Sequence, residues 1–196
     1  MLKRFFDITC SLIGIILLLP FFIIVSFFII VNSGFPVFYV QMRVGKNSRN
    51  FKLIKFRTMH ADADEKGLLT VGGRDPRVTG IGYYLRKYKL DELPQLFNVL
   101  VGTMSLVGPR PEVNKYVELY NTQQLQVLSV KPGITDFASL EFINENELLA
   151  QSSNPEETYI NKIMPEKLTL NLKYIVQQSF TTDIKIIVNT LLKIIK

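Results

Sequence analysis

The sequence is poor in the side chains that carry much of redox, metal and hydrolytic chemistry. Its 196 residues include one cysteine, Cys10, and one histidine, His60. A single cysteine excludes an intramolecular disulfide. One cysteine and one histidine are too few for a zinc cluster. A Cys-His or Ser-His catalytic pair would have to use His60, and nothing around it favours that. No internal repeat and no low-complexity linker divides the chain, and no charge interrupts the stretch from Ile8 to Val31.

What the chain does have is apolar length and positive charge. At about 1.5 Å per residue, the run from Ile8 to Val31 is long enough to cross a hydrocarbon core of roughly 30 Å. A core helix of this length with no polar face would be unusual. A cleavable signal fits less well, because the run exceeds an h-region and no small-x-small site follows it. Pro20 removes one helical hydrogen bond near the middle and bends the chain there. Lys3 and Arg4 precede the run; Arg43, Lys46, Arg49, Lys52, Lys55 and Arg57 follow it. Positive flanks at both ends pull both to the cytoplasm. These features favour a re-entrant membrane helix over residues 1–34, broken near Pro20; a single-pass anchor is the competing reading. Cys10 then faces lipid or packs. The net charge of +6 suits an anionic lipid, a nucleotide phosphate or a nucleic acid. The membrane run and the lack of any nucleic-acid-binding motif argue against the last.

Residues 35–196 read as one small α+β unit. Phe35 to Val40 is an extended exit from the membrane, Gln41 to Gly45 a turn, and Phe51 to Met59 a short cation-bearing strand. In that strand Phe51 and Leu53, with Ile54 placed beside them, point to one side, and Lys52, Lys55 and Arg57 toward another. Residues 61–76 form an acidic, then glycine-rich loop. Asp62, Asp64 and Glu65 are candidate metal ligands there, with a solvated loop as the plainer reading. Ile81 to Lys89 is expected to be a helix ending in a basic patch of Arg86, Lys87 and Lys89. Leu93, Leu96, Phe97 and Leu100 recur at helical spacing, with Asp91 and Glu92 opening that helix and Pro94 in its first turn.

Asp91 and Glu92 have two readings. As helix caps they need no further role. A helix start also stabilises an ionised carboxylate and attracts phosphate, so one carboxylate could attack phosphorus while the other holds a divalent cation. Arg110 lies between Pro109 and Pro111 and leaves a stiff segment, which suits bidentate phosphate binding; an exposed arginine on a proline-rich connector is the alternative. Lys131 to Thr135 reads as a type II turn. Asn154 caps a helix that starts at Pro155. The segment from Asp183 to Lys196 is amphipathic, and either lies flat on an anionic membrane or packs on the core.

Four segments occur in order behind the apolar run: Lys55-Phe56-Arg57-Thr58-Met59, Leu90 to Leu100, Ser105-Leu106-Val107-Gly108-Pro109-Arg110-Pro111, and Lys131-Pro132-Gly133-Ile134-Thr135. Together they resemble the bacterial sugar transferases, the monotopic phosphoglycosyl transferases that begin glycan assembly on polyprenyl phosphate. The resemblance runs from about Lys3 to the C-terminus. It implies a re-entrant membrane helix, interfacial amphipathic helices and a compact catalytic unit, residues 35–196, on the cytoplasmic face of the bacterial inner membrane. It implies a UDP-sugar donor, a polyprenyl (undecaprenyl) phosphate acceptor, anionic lipid around the protein and Mg2+ as cofactor, and it leaves a homodimer open. By resemblance Asp91 is the nucleophile that forms a phosphosugar-enzyme and releases UMP. Glu92, with Asp91, holds the metal; Arg86 holds the carboxylates; Lys55 and Arg110 bind phosphate and substrate.

Some positions depart from the family pattern. Thr103 stands where many members carry an acidic residue. Asp136-Phe137-Ala138-Ser139 replaces Gly-Trp-Ala-Gln in a region tied to sugar choice, and Leu19 replaces the serine that some members place before the proline. Two other functions compete: a non-catalytic membrane-anchored binding module, and a transferase in which Asp91 is a general base for direct displacement.

Overall fold

The computed structural model describes residues 2–60, 63, 67, 69–72 and 75–195. Asp62, Asp64 and Glu65 lie outside the described residues, so the metal reading of that loop has no structural counterpart here.

One apolar helix, α1 (Leu2–Ser33), leads a mixed helix-and-strand unit. The helix runs on through Pro20, so the bend expected there does not interrupt it. It is long and apolar enough to cross a membrane. Ser11, Ser26 and Ser33 turn their hydroxyls back onto the carbonyls of Ile8, Phe22 and Ile29, which satisfies these three donors within the helix. One stripe of α1 is buried: Asp7, Ser11, Phe22, Val25 and Ile29. The opposite stripe exposes Phe5, Ile16, Leu17, Ile23, Phe27 and Val31.

Both ends of α1 are tied to the rest of the chain. At the start, Lys3 donates to the carbonyl of Val107 and pairs with Asp183, while Arg4 donates to the carbonyls of Val99 and Leu100. At the end, buried Arg57 donates to the carbonyls of Ser33, Gly34 and Phe35. A helix C-terminus leaves its last carbonyls unsatisfied, and Arg57 supplies the donors. Lys3, Arg4 and Arg57, which the sequence offers as flanking charges, have partners within the protein.

Two strands follow, β1 (Phe38–Val44) and β2 (Asn50–Phe56), paired antiparallel from Phe38 opposite Phe56 to Val44 opposite Asn50. The turn expected at Gln41–Gly45 is mostly strand. The reversal lies beyond Gly45, where Asn47 and Ser48 take left-handed φ of 55° and 59°. Lys55 shares a face with Leu53 and Phe51, as strand alternation requires, and does not join Lys52 as expected.

Helix α2 (Gly80–Lys87) is capped by Thr79, whose hydroxyl accepts from the Gly82 amide. A Cβ on Gly82 would lie 2.1 Å from the Thr58 carbonyl, so only glycine lets α2 press on the segment that follows β2. Helix α3 (Gln95–Val101) joins β2 through Asn98, which donates to the Lys52 carbonyl at 2.7 Å and accepts from the Ile54 amide at 3.1 Å. Strands β3 (Ser105–Val107) and β4 (Gly133–Thr135) pair in parallel. The expected type II turn at Lys131–Thr135 is thus half strand. Gly133 is required there, because a Cβ on it would sit 2.1 Å from the Gly108 nitrogen.

The remaining helices are α4 (Asn114–Val117), α5 (Phe137–Glu141), α6 (Glu145–Ala150), α7 (Pro155–Thr158), α8 (Met164–Gln177) and α9 (Phe180–Ile195), with a π-helical turn at Tyr159–Ile163. Asn154 caps α7 as expected. One core cluster joins α1 to the strands and α2: Phe22, Val25, Ile29, Phe56 and Leu85. Phe22 meets Phe56 edge to face with centroids 5.4 Å apart, and each such buried side chain stabilises the fold by about 1.5–3 kcal/mol. A second cluster, with Tyr116, Leu149, Tyr159 and Leu168, holds the C-terminal helices. Helix α9 packs on the core through Ile186 and Asp183 while Val188, Leu191 and Leu192 stay exposed, so its apolar residues serve both surfaces.

Candidate active site

Four elements converge on one pair of carboxylates. After α2, Lys89 takes a left-handed φ of 55° and turns the chain back into a single 3-10 turn, Leu90–Glu92. Asp91 and Glu92 therefore precede α3, whose cap position is Pro94 and carries no side-chain cap bond. They do not act as caps. Both are buried, at 7% and 8% exposure, against the ordinary preference of carboxylates for water.

Glu92 accepts three charge-assisted hydrogen bonds, which leave one acceptor position on Oε2. Lys55, delivered by β2, donates to its Oε1 at 2.8 Å. Arg110 bonds both oxygens in a fork, with Nη1 to Oε2 at 3.0 Å and Nη2 to Oε1. Arg110 is itself fixed: its backbone amide donates to Oδ2 of the fully buried Asp136, which also caps α5. Asp91 contrasts with its neighbour, since no hydrogen bond among the described residues reaches its carboxylate.

Arg86 projects from the last turn of α2 and donates to the Thr70 hydroxyl at 2.6 Å. It acts on Asp91 through space, as does Lys89. Lys55, Asp91, Glu92 and Arg110 thus form one contiguous cluster, with Arg86 at its edge. Sequence reasoning missed Asp136 and Asn98, which set the cluster's geometry. Asp136 is visible in the sequence only as a departure from the family pattern.

The two carboxylates titrate apart. Burial pushes Asp91 up from the ordinary aspartate value, and the adjacent Glu92 charge adds to this against the pull of Lys55 and Arg86. Burial also works to raise Glu92, but Arg110 and Lys55 outweigh it and hold Glu92 well below the carboxylate range. Burial lowers Lys55, with Glu92 opposing.

These residues line a groove of about 1180 Å³. One stretch of its wall is apolar and comes from Phe6, Cys10 and Gly14 of α1 and Ile187, Leu191 and Ile194 of α9. Another is polar, with Arg43, Glu112, Tyr159, Glu145 and Lys167. There Tyr159 and Arg43 bond Glu112, and Lys167 donates to Glu145 at 2.7 Å. Burial, reinforced by Glu112, raises the Tyr159 phenol.

No group of three or more His, Cys, Asp or Glu side chains able to hold a metal occurs among the described residues. Magnesium asks less of a protein, commonly one or two carboxylates with substrate phosphates and water completing the octahedron. The unengaged oxygens of Asp91 beside Glu92 fit that donor set.

An apolar helix long enough to cross a membrane, and a groove in which cations surround a buried carboxylate, suggest a membrane-associated protein. Comparison with known proteins narrows this. The profile of the bacterial sugar transferase family matches residues 1–196, and the chain belongs to that family. Uncharacterized sugar transferase EpsL of Bacillus subtilis (strain 168) is 39% identical over 197 residues, 99% of this chain and 87% of that protein. Galactosyl transferase CpsE of Streptococcus agalactiae is 38% identical over 96% of this chain and 41% of that protein. UDP-glucose:undecaprenyl-phosphate glucose-1-phosphate transferase of Escherichia coli (strain K12) is 34% identical over 98% of this chain and 40% of that protein. The chain spans less than half the length of the last two.

Proposed function

We propose that this protein is a phosphoglycosyl transferase that moves a sugar 1-phosphate from a UDP-sugar to polyprenyl (undecaprenyl) phosphate, the first membrane step of a bacterial polysaccharide or other glycan. The observation that carries the reading is the unequal pair: Glu92 clamped by Lys55 and Arg110, Asp91 left without a hydrogen bond among the described residues. Ionised Asp91 attacks the donor's β-phosphorus. The bond from that phosphorus to the oxygen bridging to the α-phosphate breaks, and UMP leaves with the electron pair. An oxygen of the lipid phosphate then attacks the same phosphorus, the Asp91–phosphorus bond breaks, and polyprenyl diphosphosugar and free carboxylate result.

Bringing two phosphorylated substrates to a carboxylate requires screening of negative charge. Arg110 and Lys55 supply it from fixed positions, Arg86 and Lys89 from the rim. Asp91 and Glu92 would hold Mg2+, which screens phosphate charge when bound.

We read residues 1–34 as a re-entrant helix and 35–196 as the catalytic unit on the cytoplasmic face. The support is that Lys3 and Arg4 at one end of α1, and Ser33 and Gly34 at the other, bond the same unit. A spanning helix would carry one set of those polar partners into hydrocarbon, at a cost of several kcal/mol for each group left unsatisfied. The exposed apolar residues of α9 support reading it as an interfacial helix, and the apolar stretch of the groove between α1 and α9 suits the acceptor's chain. The names of relatives cover galactose, glucose and N-acetylgalactosamine, so the donor is left to experiment.

The test is UMP release from a panel of UDP-sugars by protein in nanodiscs with polyprenyl phosphate and magnesium, beside Asp91→Asn. Release with one sugar, lost on chelation and in the variant, together with a phosphosugar trapped on Asp91, supports every part of the reading. Release without a trapped intermediate would leave Asp91 as a general base. No release with any donor from folded, membrane-bound protein would favour a non-catalytic binding module.

A further inference from the structure

Strand β1 is amphipathic the wrong way round for a water-facing surface. Tyr39, Gln41 and Arg43 share the inner face with Lys55, Leu53 and Phe51 opposite them, while Phe38, Val40 and Met42, on the alternate face, are 40%, 49% and 49% exposed, Phe38 and Val40 also bordering the groove. In an antiparallel pair with one solvated face, the apolar residues belong inside and the polar ones outside. The inversion needs an apolar neighbour on the outer side.

Two observations say what that neighbour is. The face adjoins α1. Phe38 stacks on Phe56 with centroids 5.4 Å apart, Phe56 packs on Phe22 of the buried stripe of α1, and Phe35, 77% exposed, lies in the chain between helix and strand. The hairpin also carries cations, since Lys46, Arg49 and Lys52 are all exposed. An apolar patch rimmed by cations complements the headgroup region of an anionic leaflet.

We propose that the outer face of the β1–β2 hairpin is a second membrane-contacting surface. Phe38, Val40 and Met42 seat in the bilayer interface beside α1, and Lys46, Arg49 and Lys52 meet anionic headgroups. The inference rests on α1 being the membrane helix. Its consequence is positional: the groove-facing side chains of β1 lie one strand's thickness from the lipid, so a lipid phosphate reaches Asp91 from the headgroup layer.

The chain contains no tryptophan, so each single-tryptophan variant has one clean fluorophore. Val40→Trp and Met42→Trp would be compared with Ile16→Trp, on the exposed stripe of α1, in phosphatidylglycerol vesicles with and without brominated acyl chains. Expected are a blue shift, shielding from iodide, and a loss of emission in brominated vesicles comparable to that of Ile16→Trp for both hairpin probes. If Ile16→Trp is quenched while both hairpin probes stay open to iodide and insensitive to bromine, the proposal falls and the anchoring role of α1 stands. If Ile16→Trp is itself insensitive, the anchoring reading falls and takes this one with it. Hairpin probes shielded from iodide but not quenched by brominated lipid would mean that protein, such as a second copy, covers the face, and would overturn the proposal.

Discussion

Two charge networks face the same groove and differ in how completely they are paired. In the distal one, Glu112 is met by Arg43 and Tyr159, and Glu145 by Lys167. Each carboxylate has its partner, and the charges balance. At the convergence of β2, α2 and the segment before α3, Lys55 and Arg110 both go to Glu92, and Asp91 keeps two oxygens that no described residue bonds. The first network is closed and holds elements together. The second has a surplus of cation and an idle buried carboxylate, which costs folding stability and leaves room for an anion to be bound and attacked.

Asp91→Asn probes the difference most sharply. Turnover should fall by a factor on the order of 10³ or more, as for loss of a nucleophile, read as UMP release. Stability should move the other way. A carboxyl whose folded pKa is raised holds its proton more tightly folded than unfolded, so ionising it at neutral pH takes stability away. The amide ends that loss, and thermal denaturation should show a higher midpoint at pH 7.

Glu92→Gln tests the clamp. It strands Lys55 and Arg110, and breaking a buried pair costs roughly 3 kcal/mol, reduced here because the Arg110 side chain is 31% exposed. Because the Glu92 pKa is depressed on folding, its contribution is present above the unfolded value and lost as pH falls through the folded one. The gap in denaturation midpoint between wild type and variant should therefore close in strong acid.

Arg86→Gln is milder. Arg86 lowers Asp91, so removing it should raise that pKa further and move the acid limb of the turnover profile to higher pH. Tyr159→Phe, in the distal network, should cost about 1 kcal/mol of stability for one hydrogen bond and leave UMP release near wild type. A large fall in turnover there would abolish the distinction between the two networks.

Much of the site was legible in sequence because its residues sit in short local motifs. Lys55, Asp91, Glu92 and Arg110 could be named, and they do come together. Their local structure was less legible. Asp91 and Glu92 look like a helix start, yet the left-handed Lys89 places them in a turn before it, and nothing in a lysine announces a positive φ. Gly133 to Thr135 looks like a turn because its strand partner, Ser105 to Val107, is distant in sequence; Gln41 to Val44 does so because it runs up to the reversal at Gly45, although its partner is the next strand.

The sequence by itself determined the apolar helix, the excess of positive charge, the cap at Asn154, and the residues able to do phosphate chemistry. These follow from composition and from neighbours within a few positions. Tertiary structure alone decided that Arg110 and Lys55 close on Glu92 and spare Asp91, that Arg57 caps α1, and that β1 turns its apolar side outward. Each depends on groups far apart in the chain meeting in a low-dielectric interior, where pairing and burial set the charge state of a carboxylate.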